Sequence, residues 1–369
     1  MNASDMQVAK RAFASYYEKA DLRIPMIERR EFGIGNQKKI DARHLNFASA
    51  QEFRNYLCNN TPLFVSHSTS YYDFPGASPM VKKGWRGADV VFDLDIHAEG
   101  RYGAYAHLSR VKEDAARLVN DFILGDFGVK KEHVAVAFSG NRGYHIHVRD
   151  PAFHPLGGDE RRELVDYIMG QGLDYTQFFT PEGKPAKLIG PKPDEGGYRG
   201  RLARGTIRLL EENPGLLSRL FTREKERGFF ISGIKEGNWS RTSLKSADII
   251  SRLRPLAAGL PVSSVDTDAG VTQDLSKLIR VPNSIHGDTG MVARIIEDIG
   301  AFDPWKDAML RGAESGGTGE MRIRFTEDVP AIEMDQTLGP FKKDEEKALP
   351  KHYAMFFVLK GSATISAGN

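Results

Sequence analysis

Ala88-Asp89-Val90-Val91-Phe92-Asp93-Leu94-Asp95-Ile96 is the stretch from which the fold of this chain is read. Its β-branched and aromatic residues predict a buried strand, and two aspartates interrupt the C-terminal end. Alternate side chains leave a strand on the same face, so Asp93 and Asp95 lie close together on one side. Carboxylates that near each other repel and are costly to bury without positive charge between them. A divalent cation with oxygen ligands, Mg²⁺ or Mn²⁺, supplies that charge most simply. The bland alternative is a strand end whose aspartates cap a turn and face water.

Working outward, residues 110–124 carry Val111, Ala115, Leu118, Val119 and Phe122 on one helical face, and residues 133–138 predict a second strand. That strand runs into Ser139-Gly140-Asn141-Arg142-Gly143-Tyr144-His145-Ile146-His147-Val148. Gly140 and Gly143 permit a tight turn whose backbone N–H groups converge on an anion. Ser139 adds a hydroxyl, and Arg142 a planar fork suited to phosphate oxygens. Beyond the turn, His145 and His147 share one strand face. Strand, helix, strand predicts an α/β unit, and metal-binding carboxylates beside a cationic glycine turn are the two halves of a nucleotide-phosphate site. Taken alone, the segment is also a hairpin turn leading into an amphipathic strand with water-facing histidines.

A third stretch, residues 262–272, again ends a strand in aspartates two apart, Asp266 and Asp268. A short helix follows, then Leu278-Ile279-Arg280-Val281-Pro282-Asn283-Ser284-Ile285-His286-Gly287. A carboxylate from this separate strand would complete a site for two divalent ions, which clamp the attacking and leaving oxygens of an in-line phosphoryl transfer. Arg280 and His286 offer a cation and an N–H donor to triphosphate oxygens. A capped turn explains this stretch too, but it must now be invoked three times.

The remainder organises around these segments. Residues 6–20 predict an amphipathic helix, and residues 29–34 and 40–47 two short strands that carry Arg29, Arg30 and Arg43. Ser49 with Glu52 three residues on is a capping-box pattern at the start of a helix over 49–57. Residues 71–76 form a turn-rich loop leading to Trp85. Residues 200–260 have helical periodicity and, with Arg199 just before them, many cations, Arg201, Arg204 and Arg208 among them, which read either as a solvated face or as a backbone-contacting surface for nucleic acid. Gly312 to Gly319 is a loop, and Tyr353 to Leu359 a closing segment. The domain organisation expected is a catalytic domain in two parts, 1–199 and 261–369, with a smaller helical subdomain, 200–260, inserted between the second and third motifs.

Composition narrows the class. Hydrophobic residues at 40% and charged residues at 27% are ordinary for a globular protein, and a formal net charge of +2 singles out no partner. The single cysteine, Cys58, excludes an intrachain disulfide and any site that needs several thiolates. No stretch reads as a membrane span or an N-terminal apolar leader, so a cytoplasmic, soluble chain without a membrane partner is expected.

The three motifs in this order resemble the catalytic small subunit of archaeal and eukaryotic DNA primase. The likeness runs from the Tyr16-Tyr17 helix through Arg30-Glu31-Phe32, Arg43-His44, Tyr71-Tyr72, Trp85 and Phe92-Asp93-Leu94-Asp95, then through the serine-glycine turn and the Leu278–Gly287 segment. It implies a primase-type α/β (α+β) fold, with mixed sheets flanked by helices, and synthesis of short RNA or DNA primers on single-stranded DNA from nucleoside triphosphates. By the same resemblance Asp93 and Asp95 match the metal-binding aspartates. Ser139, Arg142 and His145 match the triphosphate-contacting turn, and Arg280 and His286 the later basic residue and histidine. The family pattern of Asp, two residues, then Val-Thr fits Asp268 with Val271 and Thr272, and leaves Asp266 as the alternative register. Glu31 and Arg43 match polar positions near the incoming nucleotide. A large primase subunit is the implied partner. One departure stands out: relatives hold a structural zinc after the D-x-D strand, whereas residues 96–132 here contain no cysteine, only His97 and His107, and loss of the zinc is expected. Two rival readings remain: a primase-polymerase of the same superfamily acting in repair, and a non-catalytic nucleic-acid-binding subunit.

Overall fold

The computed structural model describes residues 1–22, 24–184, 187–212, 224–241, 265, 267–312 and 319–366. The chain divides into two compact units, one of Met1–Ala116, Lys130–Glu163 and Thr267–Asn369, the other of Arg117–Val129 and Leu164–Asp266.

In the first unit two four-stranded sheets carry the informative segments. Strands β1 (Phe32–Gly35), β2 (Ala42–Leu45), β3 (Phe64–Ser68), β4 (Val90–Asp95), β5 (Val134–Phe138), β6 (Gly143–Val148), β7 (Leu278–Arg280) and β8 (Ile295–Ile296) assemble in the orders β7-β3-β1-β2 and β8-β5-β6-β4. Every ladder in them is antiparallel. The fold is therefore α+β. The serine-glycine segment closes a hairpin between β5 and β6, in a register that sets Val91 opposite His147, Asp93 opposite His145 and Asp95 opposite Gly143. His145 and His147 do not face water; both are buried. The face of β4 that holds Val91, Asp93 and Asp95 packs on the β7 sheet through Val91, Val271 and Ile279, with His147 stacked on His67 at 6.1 Å between ring centroids. Burying each such aliphatic side chain stabilises by about 1.5–3 kcal/mol. This contact fixes where the two aspartates emerge.

Helix ends follow local chemistry. The first helix spans Ala3–Tyr17, capped by the Asn2 side chain accepting from Asp5 N–H. The capping box at Ser49 forms over Ala50–Asn60: Ser49 Oγ accepts from Glu52 N–H, while Glu52 reaches back to Ala48 N–H. The helix expected over 110–124 is α-helical only over Leu108–Arg117; Leu118–Asp126 winds with π-helical bonding. Helix Lys351–Leu359 is buried from Tyr353 onward and packs on the strands Glu320–Phe325 and Ala363–Ile365.

The second unit contains helices Gly197–Glu212 and Glu224–Glu236 and a short hairpin, Thr180–Glu182 with Lys187–Ile189. Trp239 is fully buried between Phe179 and Phe230. Among the described residues, four of its arginines are committed to internal partners. Arg199 pairs with Glu195, Arg201 with Asp126 and Arg208 with Glu212, while Arg204 donates to the carbonyls of Pro193 and Glu195.

Candidate active site

The helix Ala269–Gln273 brings the third carboxylate to β4. Asp268 is its N-cap, with its own carboxylate accepting from Gly270 N–H at 2.8 Å. Asp268 N–H donates to the Asp93 carbonyl at 3.0 Å and Thr267 Oγ1 donates to the same oxygen at 3.1 Å. Thr272 Oγ1 donates to Val91 O at 2.8 Å. Three bonds thus clip this turn along the strand that carries Asp93. The cap expected of a plain turn is present, and the turn that carries it is bonded to the strand of Asp93. Asp266, the alternative register, lies outside the described residues.

The electrostatic consequence is large. Burial, then the negative charges of Asp95 and Asp268, push the Asp93 carboxyl up to about 7. The nearest ring, His145, brings Nε2 to 3.5 Å of Asp93 Oδ1. It supplies no charge, because burial and the neighbouring Arg280 push His145 down to about 3. Lys277 and Lys39 oppose the rise without cancelling it.

Asp95 is held differently. Arg142 Nε donates to both of its oxygens at 3.0 and 3.1 Å, and Arg142 Nη2 stands 3.4 Å from His97 Nδ1. The turn behind Arg142 is tight. Gly140 has φ +80°, and a Cβ there would sit 2.9 Å from His286 Cβ; at Gly143 it would sit 2.1 Å from Leu94 O. Ser139 Oγ accepts from the N–H groups of Asn141 and Gly143, so part of the turn's donor set braces the turn itself. Thr289 Oγ1 donates to Gly140 O at 2.6 Å, which locks the turn onto the His286 segment.

Arg280, on β7, lies with its guanidinium 5.6 Å from the Phe64 ring centroid. Its Nη1 is buried and has no hydrogen-bond partner. Burial pushes the group down to about 10, against the pull of Tyr17, Asp288 and Asp93. A buried cationic donor left unpaired is costly and marks a place for an anion. His286 is buried beside it, edge-on to Phe64, with Nδ1 accepting from Asp288 N–H. Burial and Arg280 keep it neutral, so it offers a donor and no charge.

Glu31 and Arg43 pair with each other. Arg43 Nε donates to Glu31 Oε1 at 2.8 Å, His44 N–H to the same oxygen at 3.0 Å, and Lys83 Nζ stands 3.4 Å from Oε2. Burial alone would raise Glu31, but the bonds from Arg43 and His44 outweigh it and hold the carboxyl below its usual range. Glu31 is therefore an anchor for the arginine, whose remaining reach is to Ser276 O at 3.2 Å, next to Lys277.

Sequence reasoning passed over three residues at this site. Asn141 Oδ1 accepts from Tyr105 OH at 2.7 Å and stands 3.3 Å from Lys360 Nζ. Only Asn141, inside the glycine turn, carried a signal; Tyr105 and Lys360 come from segments without a motif.

The donor set is all carboxylate oxygen, which suits a hard divalent ion and not zinc. Among the described residues no three His, Cys, Asp or Glu side chains stand close enough together to hold a metal ion. The cause is visible: Asp95 is turned into the Arg142 fork and Asp268 onto Gly270 N–H. Both contacts are partly exposed, so exchanging them for a cation costs little.

The DNA primase small subunit family matches residues 92–298, which span all three motifs. The DNA primase small subunit PriS of Methanoregula boonei is 34% identical over 99% of this chain and 100% of its own length. That of Methanosphaerula palustris is 33% identical over 100% of both chains, and that of Methanococcoides burtonii 31% over 96% and 97%.

Proposed function

The chain belongs to the DNA primase small-subunit family, and from that premise we propose that it is the catalytic subunit of a primase. It is read as a nucleotidyltransferase that makes short RNA primers on a single-stranded DNA template, with DNA synthesis decided by the NTP and dNTP arms of the test below. The observation that supports this most is the opposition of two halves. Burial and the charges of Asp95 and Asp268 keep Asp93 protonated to about pH 7, while Arg280 holds a buried guanidinium N–H without a partner.

In this reading Asp93, Asp95 and Asp268 would hold two divalent ions, Mg²⁺ or Mn²⁺. When bound, such ions lower the pKa of a ribose 3′-hydroxyl and offset charge on departing pyrophosphate. The 3′-oxygen bonds to the α-phosphorus, the α–β bridging bond breaks, pyrophosphate leaves and the hydroxyl proton passes to solvent. The chain's own groups bind and orient. Arg142 and Arg280 place fixed positive charge, and His145 and His286 neutral donors, where charge develops on the triphosphate. The rigid turn Ser139–Gly143 holds Arg142 so that little rearrangement is needed at the moment of reaction. Glu31 fixes Arg43 towards the incoming nucleotide. Because the relatives are named small subunits, a large subunit is the proposed partner, with the complex working inside the cell at sites of replication. No helix among the described residues is long and apolar enough to cross a membrane.

Unprimed single-stranded DNA incubated with labelled NTPs or dNTPs, with and without Mn²⁺, tests the assignment. Short products made de novo and lost in Asp95→Ala are expected. Extension of supplied primers without initiation would favour a repair primase-polymerase. No incorporation, together with no carboxylate-dependent Mn²⁺ binding, would favour a non-catalytic subunit.

A further inference from the structure

A third cation reaches the glycine turn from far along the chain, beyond residues 92–298 where the family matches. Lys360 closes the helix Lys351–Leu359, its backbone N–H bonded to Phe356 O and Val358 O. Its Nζ lies 3.3 Å from Asn141 Oδ1, 4.8 Å from the Tyr105 ring centroid and 5.8 Å from that of Phe356. An ammonium has three N–H donors, and the only hydrogen bond this one makes among the described residues is to Asn141. It also forms no ion pair among the described residues. The charged groups around it are Arg142 from the turn, Arg101 from the loop before helix Leu108–Arg117, and Asp288 from the segment after His286. Burial, with the like charges of Arg142 and Arg101, pushes the amine down to about 8 against the pull of Asp288. Its charge is also felt at His286.

Two cations of like sign, Lys360 and Arg142, therefore stand at one tight turn, and the charges of both Lys360 and Arg280, whose Nη1 is unpaired, are felt at His286. Arg142 is held by Asp95, whereas Lys360 feels only the more distant charge of Asp288 and has no carboxylate within ion-pair distance among the described residues. Convergence of that kind is unfavourable in the protein alone and favourable around a polyanion. We propose that Lys360 is a phosphate-contacting residue of this site: its ammonium meets a β- or γ-phosphate oxygen of the bound nucleoside triphosphate and holds the pyrophosphate that leaves. The inference rests on the primase reading and adds to it a ligand contact from the C-terminal helix. The alternative role is mechanical, with Lys360 bracing Asn141 and hence the turn.

The variants Lys360→Met, Lys360→Gln and Lys360→Arg separate the two roles, since Gln keeps a donor for Asn141 without the charge and Arg keeps the charge. Primer synthesis by Met and Gln variants should show an NTP KM raised roughly ten- to hundredfold, with Arg recovering most of the loss. Inhibition by added pyrophosphate should weaken by a similar factor, and single-stranded DNA affinity should not move. A Gln variant that behaves as wild type, or a Met variant with lower kcat at unchanged KM, overturns the proposal in favour of bracing. Calorimetric binding of pyrophosphate to wild-type and variant chains keeps this separate from the primase reading. Binding that depends on Lys360 supports the contact even if no primers are made, and equal binding removes it even if primers are made normally. Equal melting temperatures check that each variant is folded.

Discussion

Asp89 and Asp93 stand four residues apart, Asp89 just before strand β4 and Asp93 within it, and both are largely withdrawn from water, yet they meet opposite surroundings. Asp89 is enclosed by positive groups and donors. Arg30 Nη2 bonds to it at 2.7 Å and Tyr71 OH at 2.5 Å, while Arg149 and His154 stand 3.8 and 3.6 Å away. Burial works against its charge, but Arg30 and the hydrogen bonds outweigh it and hold the carboxyl far below its usual range. Asp93 has like charges for neighbours and only a neutral ring opposite, and is pushed up to about 7. A buried carboxylate with a matched guanidinium is a structural anchor; one crowded by other carboxylates is a place where a cation is wanted. The same strand thus presents a finished ion pair at one end and an unfinished one at the other.

The strongest way to break this contrast is to remove a carboxylate from the unfinished end. Asp95→Ala should reduce primer synthesis to background with an unchanged far-UV circular dichroism spectrum; unchanged incorporation would refute the assignment. At the finished end the effect moves to stability. Asp89→Asn strands the fully buried Arg30 and should cost about 3–5 kcal/mol by urea denaturation, because one partner of a buried pair is left alone. Near-native stability in that variant would mean that the cluster is not an anchor.

The two ends should also slope oppositely with pH. Asp93 rises from 3.8 to about 7 on folding, so its contribution is full below about pH 4 and lost as pH rises through about 7. Asp89 is depressed, so its contribution is present above its unfolded value and lost only as pH falls through its low folded one. In chelator, Asp93→Asn should therefore gain stability relative to wild type between about pH 5 and 8, and a flat difference would sink the coupling. In the same window, calorimetric Mn²⁺ binding to wild type should weaken on acidification below about pH 7. The smallest effect is expected at the clip: Thr272→Val loses a bond to Val91 O and should cost about 1 kcal/mol, with a modest loss of activity as Asp268 loosens.

Some of this was legible before any coordinates. Period-two spacing put Asp93 and Asp95 on one face, and the glycines announced the turn that carries Arg142, because both follow from backbone geometry within a few residues. The Ser49 capping box is local in the same sense. The strand alone leaves open whether the histidines face water, because nothing in it records the second sheet that covers this face; His67 and Ile279 come from distant segments. That Glu31 pairs with Arg43, His44 and Lys83 was not legible, because those partners come from two segments distant in sequence from it.

What the amino-acid order determined by itself is therefore the chemistry available: two aspartates on one strand face, a further aspartate at a helix start, and a glycine turn with an arginine. What only the tertiary structure decided is which charges are matched. Asp89 and Asp93 look alike in the sequence, and their difference arises from long-range packing that brings Arg30 to one and Asp268 to the other. The same packing leaves Arg280 without a partner and swings Lys360 over the turn. Charge pairing depends on distance in space, which a strand or helix period does not encode.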